Sequence, residues 1–351
     1  MRDIAVVSFA QTQHLREQQA LNEVEMLMPV VRDALAGAGI AKDRVDFVCS
    51  ASSDYLAGVA FSFVMTLDAV GPWPPISESH VDMDGAWALY EAWVKMQMGD
   101  IDVALVYAYG KSSPGELRRV LTRQLDPYYT APLWIDPVGM AALQARCCLG
   151  AGLVTEAEMA EVAARSRRDA LANPFAQLAW DVPPEQILAE DHLVAPLRRH
   201  DCPPITDGAA AVVLAAGDVA RELCERPAWI RGIDHRIEPH ALGVRDLTDS
   251  VSTRQAAERA GVAEAPVQLA ELHAPFSVQE LILRRALGLG DDVVVNPSGG
   301  ALAANPIMAA GLIRIGEAAT RVSRGDAERA VAHATSGPCL QQNLVCVLEG
   351  E

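Results

Sequence analysis

The sequence predicts an α/β protein in which a similar unit is repeated in the two halves of the chain. Short apolar segments typical of buried strands alternate with longer segments in which apolar residues have helical spacing. Residues 99–108 resemble residues 325–334 at an offset of 226 residues, and residues 38–40 resemble residues 260–262 at an offset of 222. Because both matches join a helix end to a strand, they indicate two related α/β halves.

In the first half, the helix predicted over residues 84–98 has apolar residues on nearly every face, so we expect it to be buried all round. The strand predicted at 103–109 is apolar on both sides, as in a sheet covered on both faces. The other elements predicted in this half are strands at 4–9, 45–49 and 209–215 and a helix at 21–38 that stops at Gly39.

In the second half, strands are predicted at 267–272, 330–334 and 343–348. A long segment of Pro- and Tyr-bearing loops and one charged helix separates two strands of the first half, and it is too long to be a plain connection. In that helix, predicted over 155–171, Thr155 and Glu158 have capping-box spacing. We therefore expect a first half over 1–217, with an inserted loop subdomain at 112–206 that lies over it, and a second half over 218–351.

Composition excludes several classes of protein. The chain has 351 residues, is half hydrophobic and carries a formal net charge of −17, which argues against a general nucleic-acid binder. No apolar stretch is long enough for a membrane span, and no cationic secretory leader precedes the first apolar run. Seven cysteines in this context are expected to be reduced, and we expect a cytoplasmic protein.

Motifs for cofactors are missing as well. The sequence contains no G-x-G-x-x-G, Walker A or G-x-S-x-G motif and no zinc-spaced Cys/His set. We therefore expect no dinucleotide, nucleoside triphosphate or metal cofactor.

Five segments, in this order along the chain, resemble motifs of the thiolase superfamily, specifically the sterol-carrier-protein-type (lipid-transfer) thiolases. They are RRDALANPFAQ at 167–177, DCPPITDGAAA at 201–211, HAPF at 273–276, NPSGGAL at 296–302 and the C-terminal Cys339. The resemblance runs over essentially the whole chain. It implies duplicated βαβαβαββ halves in a five-layered α/β/α/β/α fold, a coenzyme A thioester as substrate rather than a separate cofactor, and carbon–carbon bond chemistry.

In such enzymes a cysteine at the start of a buried helix attacks the thioester, because the helix N-terminus stabilises the thiolate. This sequence departs from the family there: Asp82 takes the place of the nucleophile and Asn305 that of a partner histidine. An aspartate with the reference pKa of about 3.9 is a weak base at neutral pH. A structural alternative is that Asp82 or Asp84 caps the helix.

Two positions of the family's catalytic set are retained. His273 is a candidate general base or oxyanion donor, and Cys339 a candidate acid/base thiol; the alternatives are a buried histidine and an inert core cysteine. The Ala274-Pro275 pair replaces the usual acidic and small residues and removes a backbone N–H.

The resemblance also suggests how coenzyme A is bound. Arg198 and Arg199, in the inserted segment, are candidates for contacting its phosphates. For the neighbouring basic residues the alternative is that they form a solvated helix face and contact no ligand. Ser298, Gly299 and Gly300 would let backbone approach the thioester, unless they form an ordinary tight turn.

Three functions remain open. The first is a catalytically degenerate thiolase-like subunit that pairs with an active thiolase-like chain in a hetero- or homodimer, with a small OB-fold/zinc-ribbon protein as a possible further partner, and that acts on steroid or lipid acyl-CoA. The second is a nucleophile-free retro-aldolase on a β-hydroxyacyl-CoA, disfavoured because all six tyrosines precede residue 130. The third is a non-enzymatic acyl-CoA or lipid carrier.

Overall fold

The computed structural model describes residues 2–350 and contains one ten-stranded sheet, a small hairpin and thirteen α-helices within that range. The first half begins with β1 (Ile4–Gln11), α1 (Glu23–Gly37), β2 (Phe47–Ala51), α2 (Asp54–Ala57), α3 (Ser62–Thr66), β3 (Glu78–Val81), α4 (Gly85–Gln97) and β4 (Val103–Lys111). An insertion follows, comprising α5 (Leu117–Arg123), α6 (Pro137–Gly150), α7 (Glu156–Asp169), α8 (Pro184–Leu188), β5 (His192–Val194) and β6 (Leu197–Arg198).

The remainder consists of β7 (Asp207–Ala216), α9 (Gly217–Leu223), β8 (Ala228–Ile237), α10 (Val251–Ala260), β9 (Leu269–Leu272), α11 (Ser277–Leu287), β10 (Val294–Val295), α12 (Gly300–Ala303), α13 (Ala310–Arg324), β11 (Arg329–Ser336) and β12 (Gln342–Glu349).

The strand order shows the duplication directly. Along the sheet the order is β10-β9-β11-β12-β8-β1-β7-β4-β2-β3, so each half contributes five strands in the same relative order. The two sets meet where β1 pairs antiparallel with β8. Strands β2 and β9, and likewise β4 and β11, occupy equivalent places in the two halves. The repeat predicted from the sequence offsets is therefore confirmed, including the βαβαβαββ order of each half.

The helices form three layers around the two halves of the sheet. Helices α4 and α13 share the largest apolar core with residues from strands of both halves, so they lie between them. Helix α1 packs on the other face of the first half, and α10 and α11 pack on the other face of the second. The predicted five-layered α/β/α/β/α fold is confirmed.

Most predicted elements are found within a few residues of their expected bounds. Helix α1 starts later than predicted because Asn22 caps it, with Glu25 completing a capping box. The expectation that the helix over 84–98 is buried all round is wrong for its C-terminal part. Its first five residues are buried on every side, but Val94 is 39% and Met98 75% exposed, since the helix emerges from between the sheets.

The insertion lies elsewhere than expected. Helix α7 begins after the predicted Thr155 capping box. Helix α6 shares an apolar core with α10, α11 and β9, and α7 packs with Leu302 of the second half. The expectation that the insertion covers the first half is therefore wrong: its apolar faces are buried mainly against the second half. No helix within residues 2–350 combines the length and apolar character needed to cross a membrane.

Candidate active site

A cavity of about 1550 Å³ opens where the two halves and the insertion meet. Four candidate catalytic residues line it: Asp82, His273, Asn305 and Cys339. They come from elements far apart in sequence, since Asp82 directly follows β3, His273 follows β9, and Cys339 lies in the turn after β11. The fold thus brings together all four residues that the sequence singled out for chemistry.

His273 and Asn305 form a buried hydrogen-bonded pair. The Nε2 atom of His273 lies 2.9 Å from Oδ1 of Asn305, and its Nδ1 atom accepts from the Thr335 N–H at 3.4 Å. Because Nδ1 is an acceptor, the ring proton is on Nε2 and is donated to Asn305. Burial lowers the pKa of His273 to about 4, so the ring is neutral at physiological pH.

This pairing orients the Asn305 side chain. Its Oδ1 is occupied by His273, and its backbone N–H donates to Thr206 Oγ1 at 3.0 Å. The Nδ2 group has no acceptor within the described part of the chain and belongs to a residue that lines the cavity. The arrangement presents an uncharged hydrogen-bond donor that can stabilise negative charge on a substrate oxygen.

Asp84, not Asp82, caps the central helix. Its carboxylate accepts from the Ala86 N–H at 2.9 Å and also from the N–H groups of Gly311 and Leu312, at 2.9 and 3.2 Å. One side chain therefore caps both α4 and α13. Asp84 is buried, lines the cavity, and has its pKa raised to about 6 by burial. Asp82 is exposed towards the cavity and has no cap role.

Cys339 lies in a strained turn against the insertion. It and Leu340 have left-handed backbone conformations, with φ of 54° and 58°. Arg245 holds the turn by donating to the carbonyls of Pro338 and Cys339 at 2.9 and 3.2 Å. The thiol donates to the Met140 carbonyl at 3.4 Å. Sequence reasoning did not identify Arg245, because only the fold brings it to this turn.

The thiols that line the cavity are not activated. Cys202 and Cys339 both face it, and burial raises the pKa of each to about 12. At neutral pH both are protonated, whereas the nucleophilic form of a cysteine is the thiolate. Arg245 beside Cys339 and Arg118 near Cys202 act to lower these pKa values, but the effect of burial is larger in both cases.

The two arginines predicted to contact coenzyme A differ in environment. Arg198 is buried, with Nη1 at 2.6 Å from Glu156 Oε2 and Nε donating to the Glu190 carbonyl. Glu156 therefore neutralises the charge of Arg198 within the insertion. This internal ion pair differs from the predicted contact with a coenzyme A phosphate. Arg199 is exposed and lines the cavity together with three further arginines, Arg16, Arg118 and Arg167, of which only Arg167 belongs to a motif segment.

Ser298, Gly299 and Gly300 do not line the cavity. Ser298 is buried and donates its hydroxyl to Glu271 Oε2 at 2.7 Å, in a network with Arg314. A Cβ on Gly299 would lie 2.7 Å from that of Ala170, so this glycine allows the insertion to pack closely. The three residues predicted to approach the thioester are thus engaged in internal contacts, because the segment that carries them points into the core.

No group of three or more His, Cys, Asp or Glu side chains suited to a metal ion occurs within residues 2–350. All seven cysteines are free thiols.

No protein-family model matches the chain. It is 26% identical to an acetyl-CoA acetyltransferase of Methanothermobacter thermautotrophicus, over 93% of this chain and 92% of that protein. It is 27% identical to the 17-hydroxy-3-oxo-4-pregnene-20-carboxyl-CoA lyase of Mycobacterium tuberculosis, over 76% of this chain and 74% of that protein.

Among solved structures, the chain superimposes on one described as an Ltp2-ChsH2(DUF35) aldolase with a TM-score of 0.82 and 20% identity, covering 99% of this chain and 97% of that one. The chain therefore has a thiolase-like fold.

Proposed function

We propose that the chain is the thiolase-like subunit of an enzyme complex that forms or breaks a carbon–carbon bond beside a coenzyme A thioester, without carrying the acyl group covalently itself. The observation that carries this proposal is the cavity chemistry. The His273–Asn305 pair still offers a donor for a thioester oxygen, while Asp82 stands at the nucleophile position and both cavity thiols are protonated.

A second chain would supply the missing nucleophile. The strand β3 lies at the free edge of the sheet and ends at Val81, next to Asp82. Large apolar side chains are exposed in the segment that precedes it, and we call them the edge patch: Tyr55, Val59, Phe61, Val64, Met65 and Trp73. Exposed apolar surface beside an open strand edge is suited to pairing with another chain. A related thiolase-like subunit is the partner that we favour.

The test is affinity isolation of the tagged chain from its native lysate, with the co-purifying chains identified by mass. We expect a second thiolase-like chain that has a cysteine at the start of its buried helix. The isolated chain, incubated with acetoacetyl-CoA and coenzyme A, should show no thiolysis and no acyl group by mass spectrometry. Thiolysis by this chain alone at the rate of the complex would contradict the proposal. If an acyl group were found on the chain, Cys339→Ser and Cys202→Ser variants would show which thiol carries it.

The acyl group is proposed to be large. The cavity volume of about 1550 Å³ exceeds the roughly 300–1,000 Å³ of common small-molecule sites. Its walls combine cationic residues such as Arg199 with apolar ones such as Met308 and Trp180, which suits a phosphorylated carrier joined to an apolar body. Together with the relative that acts on a steroid-derived thioester, this favours steroid or lipid acyl-CoA.

A second candidate is cleavage of a β-hydroxyacyl-CoA by retro-aldol chemistry on this chain itself. It is favoured by the neutral His273–Asn305 donor pair, because an enolate oxygen requires such a donor and no covalent intermediate. The lyase and the aldolase among the similar proteins point in the same direction. Incubation of the isolated complex with 17-hydroxy-3-oxo-4-pregnene-20-carboxyl-CoA as probe should release a ketone and a shortened acyl-CoA. If wild type and His273→Ala cleave it equally well, this second function loses its basis.

A further inference from the structure

We infer that Asp84 is the proton acceptor for the β-hydroxyl group of the substrate, in addition to being a helix cap. This inference deepens the proposed retro-aldol function and rests on it. The substrate class is a β-hydroxyacyl-CoA, whose hydroxyl group must lose its proton for the carbon–carbon bond to break.

The first support is the environment of the Asp84 carboxylate. It is 2% exposed, yet no ion pair within residues 2–350 involves it. Only backbone N–H groups hold it, namely those of Ala86, Gly311 and Leu312. A buried carboxylate without an ion-pair partner is costly, although Arg314 partly offsets this from a distance, whereas serine or asparagine would cap the helix without a charge. Its raised pKa, about 6, gives a base matched to neutral pH.

The second support is its position relative to the other site residues. A Cβ on Gly311 would lie 2.4 Å from Oδ1 of Asp84 and 2.5 Å from the Cβ of Ala334. Ala334 precedes Thr335, whose N–H binds His273. On the other side of Asp84, the N–H of the adjacent Gly85 donates to the Met308 carbonyl at 2.7 Å, and Met308 lies three residues after Asn305. Asp84 therefore lies between the two segments that hold the donor pair.

The third support is the departure from internal symmetry. The offset of 226 residues that relates the halves places Asp84 opposite Ala310, at the start of α13. Helix α13 has no capping side chain at its own N-cap position. Two of its first N–H groups, those of Gly311 and Leu312, donate to Asp84 instead. The carboxylate is therefore a feature of one half only, on the wall of the cavity.

The hydroxyl proton moves to Asp84, and the O–H electron pair forms the new carbonyl as the Cα–Cβ bond breaks. The electrons of that bond pass into the thioester enolate, whose oxygen accepts from Nδ2 of Asn305. The enolate carbon then takes a proton from the Cys339 thiol, which recovers one from water, while Asp84 releases its proton to water.

The test uses the isolated complex, the steroid thioester probe named above and two variants, Asp84→Asn and Asp84→Ser. Both retain an oxygen that can cap α4, but neither is a base at neutral pH. We expect kcat to fall by roughly 10²–10⁴-fold. The acidic limb of the wild-type kcat/KM profile, near pH 6, should disappear. Asp46→Asn is the matched control, since Asp46 also accepts from two backbone N–H groups but lies outside the cavity.

Other groups near Asp84 must be separated from it. Asp82 lies two residues before it, Arg314 acts on it electrostatically from α13, His273 follows β9, and His333 lies on β11. Arg314 is ion-paired with Glu271, and burial lowers the pKa of both histidines well below 6. The acidic limb should therefore persist in Asp82→Asn.

The outcomes distinguish this inference from the function on which it rests. If the wild-type complex does not cleave the probe, the retro-aldol function fails. If it does, and Asp84→Ser keeps its rate and its acidic limb, only the role of Asp84 is overturned. Should both variants unfold, infrared difference spectra of the wild type labelled with ¹³C-aspartate provide the test. We expect the band of a buried carboxylic acid to appear below about pH 6 and to shift when acetyl-CoA binds. Absence of that band would overturn the inference.

Discussion

At the scale of single residues, the cavity presents hydrogen-bonding groups rather than an activated thiol. Asp82 lines it, and the thiols of Cys202 and Cys339 are protonated because they are buried. The pair His273–Asn305 nevertheless keeps a fixed geometry, since Thr335 and Thr206 hold its two members from either side. A neutral donor positioned in this way stabilises an oxyanion without being consumed.

The role of Asn305 can be tested by truncation. We expect Asn305→Ala to lower kcat of the complex about 10²–10³-fold with a smaller effect on KM, because its Nδ2 donor acts on charge that develops in the transition state. Steady-state kinetics over a range of substrate concentrations measures both parameters. Asn22→Ala is the control, since Asn22 caps α1 away from the cavity. A change confined to KM would contradict the assigned role.

The protonation state of His273 gives a second prediction at this scale. Its pKa is lowered from 6.5 to about 4 in the folded chain. Because the unfolded chain binds this proton more tightly, His273 favours folding at neutral pH, and that contribution is lost as pH falls from about 6.5 towards 4.

In ¹⁵N-detected NMR spectra, His273 should remain the neutral Nε2–H tautomer from pH 8 down to about pH 5. His240 serves as an internal control in the same spectra, because its side chain is exposed to solvent. Protonation of His273 between pH 6 and 7 would show that the pair is not formed.

At the scale of elements, the site depends on how closely the two central helices approach. Their N-termini converge on Asp84, and Gly311 leaves room for its carboxylate. Gly316 similarly leaves room for the ring of Phe9, which a Cβ would approach to 2.1 Å, so that α13 packs against β1. Small residues in α13 thus allow it to pack closely against Asp84 and β1.

Gly311→Ala should therefore destabilise the protein. The added Cβ would meet Asp84 Oδ1 and the Ala334 side chain at 2.4 and 2.5 Å, contacts that neither buried neighbour can relieve easily. We expect a loss of about 1–3 kcal/mol in the free energy of unfolding, measured by urea denaturation. In Gly150→Ala a Cβ meets nothing within 4 Å, so this control should be neutral or slightly stabilising. Equal stability of the two variants would show that the helices are not tightly packed.

At the scale of the whole molecule, the chain combines a complete fold with an exposed apolar edge. Within the described residues, β3 pairs on one side only, with β2, and the edge patch lies in the segment just before it. A monomer would leave this surface in water, whereas association would bury it next to Asp82.

Charges placed in the edge patch should weaken association. We expect Phe61→Glu combined with Met65→Glu to raise the dissociation constant of the complex at least about tenfold, since each buried apolar contact contributes roughly 1–2 kcal/mol. Sedimentation velocity over a dilution series measures this. Leu171→Glu, an exposed apolar position on the insertion, is the control. If the control variant dissociates as much as the double variant, the interface lies elsewhere.

The sequence by itself determined the duplicated α/β fold, because apolar periodicity is a local property of the chain and a repeat can be found by comparing the sequence with itself. It also determined the candidates Asp82, His273, Asn305 and Cys339, since each stands in a recognisable segment. Only the tertiary structure decided that Arg198 and Ser298 are used internally, that the insertion packs on the second half, and that Asp84 caps two helices at the cavity. These facts depend on contacts between residues tens to hundreds of positions apart, and no local pattern of a single sequence records which distant groups meet.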